Sequence, residues 1–222
     1  MSNSVDRQRF REYMKASEKE YAKALGYGDQ RLAAIRRHVA YQATEYENIQ
    51  PFLFVQRMKR IPVTIREFVE SEDFIGSRLE VWPKVMEDME AIYPDVFTGA
   101  VPVHEANLGG AAGIGKSTII QVGSLYTIYL FSCFDEPQRL YGLAPTTWIQ
   151  IPLMSETTRR ANDLLYVPSR QLFEAMPFAK RYLRHNKDKT SALEIEGNLK
   201  LYSGPADVST FIGGATPAMG FD

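Results

Sequence analysis

The chain has 222 residues and a mass of 25.2 kDa, room for one domain of ordinary size or for a domain with an appendage. Hydrophobic residues make up 45% and charged residues 24%, close to the globular average, so a packed core is expected and a disordered chain is not. Twenty-six basic residues against 27 acidic ones exclude a uniformly basic nucleic-acid binder, and the single cysteine, Cys133, excludes an internal disulfide and a Cys-rich zinc site.

The charge is unevenly placed. Residues 1–60 carry 12 Lys/Arg and 7 Asp/Glu, residues 61–100 carry 3 and 9, and residues 101–222 carry 11 of each. The basic first quarter reads either as a solvated helical face or as a contact for a nucleic-acid backbone or an acidic partner. His38, His104 and His185 show no metal-ligand spacing. No apolar run approaches the ~20 residues of a membrane span. The start, Met1-Ser2-Asn3-Ser4, lacks a charged-then-apolar leader pattern. The expectation is a soluble protein in a reducing compartment, with no membrane partner.

In chain order, Phe10, Tyr13, Met14, Tyr21 and Leu25 have helical spacing, broken by Gly26 and Gly28. Asp29 can cap a second helix whose stripe is Leu32, Ile35, Val39, Ala43, Tyr46 and Ile49, and Pro51 ends it. Thr64 and Glu67 form a capping box, with Val63 and Phe68 as its hydrophobic staple, which predicts a helix to about Glu72. Pro83 predicts the start of another helix, with Val85, Met86, Met89 and Ile92 inward and Tyr93-Pro94 as its end. Residues 1–95 therefore read as a helical N-terminal appendage.

Residues 96–222 read as an α/β core. Val101–Leu108 is predicted as a strand with Pro102 at its edge, Lys116 to about Phe134 as a buried helix, and residues 146–153 as a second strand. Ser155 can cap a helix to about Met176 that Pro168 should kink or split. Leu193–Ile195 and Leu199–Tyr202 flank Glu196-Gly197-Asn198 as a β-hairpin, and Asp207 to Asp222 looks like loop. Strand, helix, strand, helix over residues 101–176 points to a parallel sheet.

Residues 110–117, Gly-Ala-Ala-Gly-Ile-Gly-Lys-Ser, match G-x-x-x-x-G-K-[ST] in full, and Thr118 follows. Glycines at 110, 113 and 115 let the backbone curl so that successive N–H groups, including those of Ala111, Ala112 and Ile114, face a phosphate at a helix N-terminus. Lys116 would reach the β- and γ-phosphates of ATP, and the Ser117 hydroxyl would hold Mg2+. The plain alternative is a glycine-rich turn between strand and helix. An ATPase also needs an acidic strand for the metal. Asp135-Glu136 follows an apolar run but lies only 19 residues after Lys116, too close for a parallel crossover, so it reads as a helix end.

Beyond this motif, roughly residues 60–222 resemble the large terminase subunit of tailed bacteriophages. The likeness lies in Ile61-Pro-Val-Thr-Ile-Arg-Glu-Phe68, in Leu79-Glu-Val-Trp-Pro83, in the run from Asp135-Glu136-Pro137 through Gly142 and Pro145 to Ser155-Glu156, and in the 193–203 hairpin with Gly213-Gly214 and Met219-Gly220. Residues 1–60 have no counterpart in it. The resemblance implies a P-loop motor ATPase that couples ATP hydrolysis to movement of double-stranded DNA in the cytoplasm of an infected bacterial host. It implies a homo-oligomeric ring and portal and small terminase partners. It also implies a continuation past residue 222 into the acidic strand and a nuclease domain, so the core would be incomplete here and slow to hydrolyse ATP. Many members carry an arginine inside the P-loop where this chain has Ala111 and Ala112, so an arginine finger would come from Arg159, Arg160, Arg170, Arg181, Arg184 or a neighbouring subunit. Trp82 either contacts the adenine, as the segment before the P-loop often does in that family, or is core. The competing readings are a helicase-like P-loop NTPase and a non-catalytic nucleotide-binding module.

Overall fold

The structure, a computed structural model, describes residues 59–60, 62–95, 103, 105–109, 111, 113–205, 216 and 220–221. The two helices expected within residues 6–49 lie outside them. The chain divides into two compact units, one of Met1–Pro62 with Asp95–Val101 and Cys133–Asp135, the other of Val63–Pro94, Pro102–Ser132 and Glu136–Asp222. In the first, Lys59 pairs with Asp135 at 3.7 Å, its N–H donates to the Cys133 carbonyl at 2.7 Å, and Cys133 is fully buried. All that follows concerns the second unit.

Its first helix, α1 (Ile65–Glu70), starts where the capping box predicts, with Thr64 Oγ1 accepting from the Glu67 N–H at 3.2 Å. Val63 and Phe68, the staple, are both buried. Pro83 opens α2 (Pro83–Ile92), which turns Val85, Met86 and Met89 inward and ends at Tyr93. A bidentate ion pair joins the two helices at the surface: Arg66 Nε and Nη2 each donate to a Glu90 carboxylate oxygen at 2.7 Å.

The long helix α3 (Lys116–Ser132) is the hub of the core. Residues Val122 to Tyr129 are buried on every side, as expected for a helix that is apolar all round. Its two tyrosines grip the entry to α1. The Val63 N–H donates to Tyr129 Oη and Tyr126 Oη donates to the Val63 carbonyl, both at 2.8 Å and both buried. Phe68, Phe74 and Phe178 pack around these rings at centroid distances of 5.0–5.3 Å.

The sheet is mixed, in the order β2-β3-β1-β4, built from β1 (Ile149–Ser155), β2 (Ala192–Ile195), β3 (Leu199–Pro205) and β4 (Gly220–Phe221). β1 is parallel to β3 and β4, while β2 and β3 form the predicted antiparallel hairpin. Its three-residue loop uses the left-handed backbone of Gly197 (φ 89°) and Asn198 (φ 59°). Gln138, buried in the turn after α3, donates to the Thr147 and Gly197 carbonyls at 3.0 and 2.7 Å and so ties the hairpin loop to the approach to β1.

Three expectations are corrected. First, the sheet is not wholly parallel, and none of the described residues of the strand predicted over 101–108 belongs to it. Val103 and residues 105–109 carry no strand, and Val103 and 105–107 are exposed. Pro102 lacks a ladder donor and Glu105 and Asn107 bond to each other (3.1 Å), so little favours pairing there. Second, Gly220 and Phe221 form a short strand on β1 rather than loop. Third, Ser155 stays buried at the end of β1, and the cap two residues on is Thr157, whose hydroxyl accepts from the Arg160 N–H. The segment it starts is split as Pro168 requires: α4 (Thr158–Ala161), a π-helical turn Asn162–Tyr166, then α5 (Val167–Ala175). Proline cannot donate to the carbonyl four residues back and its ring crowds that group. Here that group is the Leu164 carbonyl, and Gln121 Nε2 of α3 donates to it at 2.7 Å instead. A last helix, α6 (Pro177–Tyr182), leads to the hairpin.

Candidate functional site

The glycine-rich loop runs straight into α3, whose first residue is Lys116. Gly113 and Gly115 have φ of +83° and +95°, which curls the chain just ahead of the helix. Gly115 is also a close approach, since a Cβ there would lie 2.5 Å from Val85 Cγ2 of α2. The loop is thus pressed onto α2 at a point where only a hydrogen fits. The Ile119 N–H donates to the Gly115 carbonyl at 3.0 Å and closes the first turn of α3. The N–H groups of a helix's first turn have no partner within the helix itself.

Lys116 does not extend into solvent. Its Nζ donates to the Ala111 carbonyl at 2.8 Å and so spans the loop from the far side of the glycine turn. The ammonium adds a full positive charge to the partial charge of the helix N-terminus. Ser117 and Thr118 occupy the first turn and are half-buried, and Ile114 is 42% exposed at the crown of the loop. Gly110 and Ala112 lie outside the described residues.

One turn into α3, Ile120 packs against Gly220, which pairs with Leu153 in β1. Ser155 ends that strand two residues later. The start of α3 is therefore near the carboxyl end of β1, the edge at which open α/β sheets hold ligands. Trp82 caps α2 one turn before Val85 and is 59% exposed, so the alternative that made it core is set aside. The sequence marked Val85 as an inward residue of this helix but not as the seat of Gly115, because a buried valine on an amphipathic helix carries no further signal of its own.

The arginines sort by environment. Arg170 is mostly buried, with Nε on Glu174 at 2.8 Å and Nη1 and Nη2 on the Lys189 and Lys187 carbonyls. Arg181 pairs with Asp73. Both are engaged in holding the fold. Arg159, by contrast, is 92% exposed in α4, just past the carboxyl end of β1, with a loose contact of 3.6 Å to Asp163. Asp135 and Glu136 follow the end of α3, and Glu136 pairs with Arg139 across a 3-10 turn, as expected of a helix end rather than an acidic strand.

Neither a family model, a curated protein nor a solved structure matches the chain. Among the described residues, no helix is long and apolar enough to cross a membrane.

Proposed function

We propose that residues 110–118 bind the phosphates of ATP with Mg2+, and that the chain is the nucleotide-binding part of a DNA-packaging motor of the terminase large-subunit kind. The observation that carries the reading is the way Lys116 is held: at the N-terminus of a buried 17-residue helix, after two left-handed glycines, with its ammonium anchored on the Ala111 carbonyl. A glycine-rich turn that only joined two elements would need neither the lysine nor that anchor.

The donor set fits a phosphate. A helix N-terminus presents first-turn N–H donors, the Lys116 ammonium adds charge to it, and the Ser117 hydroxyl is a hard oxygen ligand of the kind Mg2+ prefers. When bound, the nucleotide and its metal supply the cleavable phosphoanhydride. This chain's own residues bind and orient it: Gly113 and Gly115 shape the cradle, Lys116 fixes the terminal phosphates, and exposed Trp82 offers a flat face for the base. Arg159 is the arginine best placed to act outside its own subunit. Double-stranded DNA, a homo-oligomeric ring, portal and small terminase partners, and the host cytoplasm as the place of action belong to the same proposal.

Titration with a fluorescent ATP analogue, with and without Mg2+, tests the reading. Ser117→Ala should bind the analogue without Mg2+ as the wild type does and lose most of the gain that Mg2+ confers. An equal Mg2+ gain in both proteins would remove Ser117 from the metal site and weaken the assignment of the loop.

A further inference from the structure

Four described side chains bury a polar atom that lacks a hydrogen-bond partner: Ser155, Ser169, His185 and Thr216. His185 is the titratable one. Its side chain is 12% exposed, stands edge-on to the buried Phe173 ring at 5.4 Å, and brings Nε2 to 3.7 Å from Oε1 of Glu174 in α5. A neutral imidazole has one N–H donor and one lone-pair nitrogen. If Nε2 carries the proton, Glu174 lies just beyond hydrogen-bond length. If it carries the lone pair, it faces a carboxylate that can only accept. Both neutral forms leave Nε2 unmet, and only the protonated ring offers Glu174 a donor together with an opposite charge.

Backbone pairing fixes the ring in this place. His185 bridges antiparallel to Ile195, with the Glu196 N–H on the Arg184 carbonyl at 2.9 Å and the Asn186 N–H on the Glu194 carbonyl at 3.0 Å. The His185 side chain therefore shares the core face of buried Ile195, while Glu194 and Glu196 lie on the other face. Glu194 is held there by Lys189 at 2.5 Å, and Arg184, Lys187, Asp188 and Glu196 are exposed. At the end of α6, Lys180 and Tyr182 are exposed and Arg181 pairs with Asp73. The charged groups that meet His185 thus come from α5. Arg170 Nε donates to the same Glu174 oxygen at 2.8 Å, Nη1 donates to the Lys189 carbonyl at 2.8 Å and to the Tyr166 hydroxyl at 3.5 Å, and Nη2 donates to the Lys187 carbonyl at 3.3 Å. Arg170 opposes a second positive charge, and the two carbonyls it holds offset part of its own.

We infer that His185 and Glu174 form a pH-dependent latch between α5 and the segment that leads into the hairpin, open while His185 is neutral and closed when it is protonated. Imidazole is the side chain that ordinarily changes charge between pH 8 and 5. Protonation makes Nε2 a charged donor facing Glu174, and a movement of about 1 Å by the Glu174 side chain, itself 42% exposed, brings the pair to charge-assisted hydrogen-bond length. Arg170 holds only main-chain carbonyls of residues 187 and 189, so the closed latch adds a side-chain tie to the 184–186 segment and through it to β2. Burial works against the charged ring, but the ring keeps some contact with solvent and the anion lies close by, so the anion prevails. A charged form favoured by folding adds stability in acid that is lost as pH rises. The latch stands or falls without the reading of the glycine-rich loop.

The test is urea unfolding of the full chain as wild type, His185→Gln, Glu174→Gln and the double variant, each at about pH 8 and about pH 5.5, a span that brackets the ordinary imidazole titration. Relative to His185→Gln, the wild type should gain about 3- to 10-fold in its folding constant on going to the lower pH. Glutamine keeps an amide near the place of Nε2 without a titratable ring, and His38 and His104 are common to all four proteins, so their titration cancels. In the Glu174→Gln background the same comparison should show no gain. A second measurement uses the wild type as it is: nitrogen-15 NMR of labelled imidazoles at the lower pH should show a His185 Nε2 proton protected from exchange, and Glu174→Gln should lose it. That signal decides the matter if His185→Gln does not fold. The latch is overturned by a wild-type advantage that stays constant between the two pH values, or by a wild type that loses ground in acid, which would make burial the stronger effect. It is also overturned if the wild type shows no protected Nε2 proton, or if the gain or that proton survives in Glu174→Gln.

Discussion

Replacing Gly115 by alanine tests how the loop is built. The backbone at Gly115 has φ +95°, where a side chain strains the chain by about 1–3 kcal/mol. The added Cβ would also lie 2.5 Å from Val85 Cγ2, an overlap that neither the helix start nor α2 can relieve cheaply, and overpacking of this kind costs about 1–3 kcal/mol more. The expected loss for Gly115→Ala is thus about 2–6 kcal/mol, a large share of the ~5–15 kcal/mol of a typical domain. Val85→Ala removes both methyls of a buried side chain and should cost about 2 kcal/mol by itself. In the double variant the new Cβ occupies the space those methyls left. The two losses should then be non-additive by about 1–3 kcal/mol, leaving chiefly the strain of the left-handed backbone. Urea unfolding of the four proteins, followed by circular dichroism, measures the coupling. Additive losses, or a loss below about 1 kcal/mol for Gly115→Ala alone, would show that the loop is not pressed onto α2 in this way.

Tyr129→Phe should lower stability by about 1–3 kcal/mol in thermal or urea unfolding, because it leaves the buried Val63 N–H without its acceptor while keeping the ring. The Arg66 guanidinium, through its hydrogen bonds, holds the Glu90 carboxyl below the usual carboxylate range, and this gives a pH dependence with a definite sign. A depressed carboxylate adds stability above its unfolded pKa and loses it as pH falls through the folded one. Arg66→Met should therefore be less stable than wild type at pH 7, and the two proteins should converge as the pH drops well below about 4; a constant difference from pH 7 to pH 3 would refute the pairing.

Much of the helical framework was legible in the sequence because its signals are local. The capping box at Thr64 and Glu67, Pro83 at the head of α2, the apolar run after Lys116 and the Glu196-Gly197-Asn198 turn each act within a few residues. Pro168 announced a break but not its form, because the π-helical turn depends on Gln121, a residue 43 positions away from the carbonyl it satisfies. The strand expected over 101–108 rested on apolar character alone, and Glu105 and Asn107 bond to each other there. Gly220 and Phe221 gave the opposite error, since glycine seldom marks a strand and here permits the close approach of Ile120. The G-x-x-x-x-G-K-S pattern was plain in residues 110–117, yet the seating of Gly115 on Val85 and the anchoring of Lys116 are tertiary facts that no spacing rule contains.

The most direct test of the central claim is isothermal calorimetry of Mg-ATP with the wild-type chain and with Lys116→Ala. Lys116 is the one full positive charge in the described part of the loop, and its ammonium is held beside the helix N–H groups by the Ala111 carbonyl. A charge-assisted contact of this kind contributes about 1.5–3 kcal/mol, so the variant should bind roughly 10- to 150-fold more weakly. Wild-type binding with a dissociation constant raised to that extent in Lys116→Ala, and an unchanged unfolding midpoint, is the predicted result. Equal affinity in the two proteins, or no binding by either, would contradict the account.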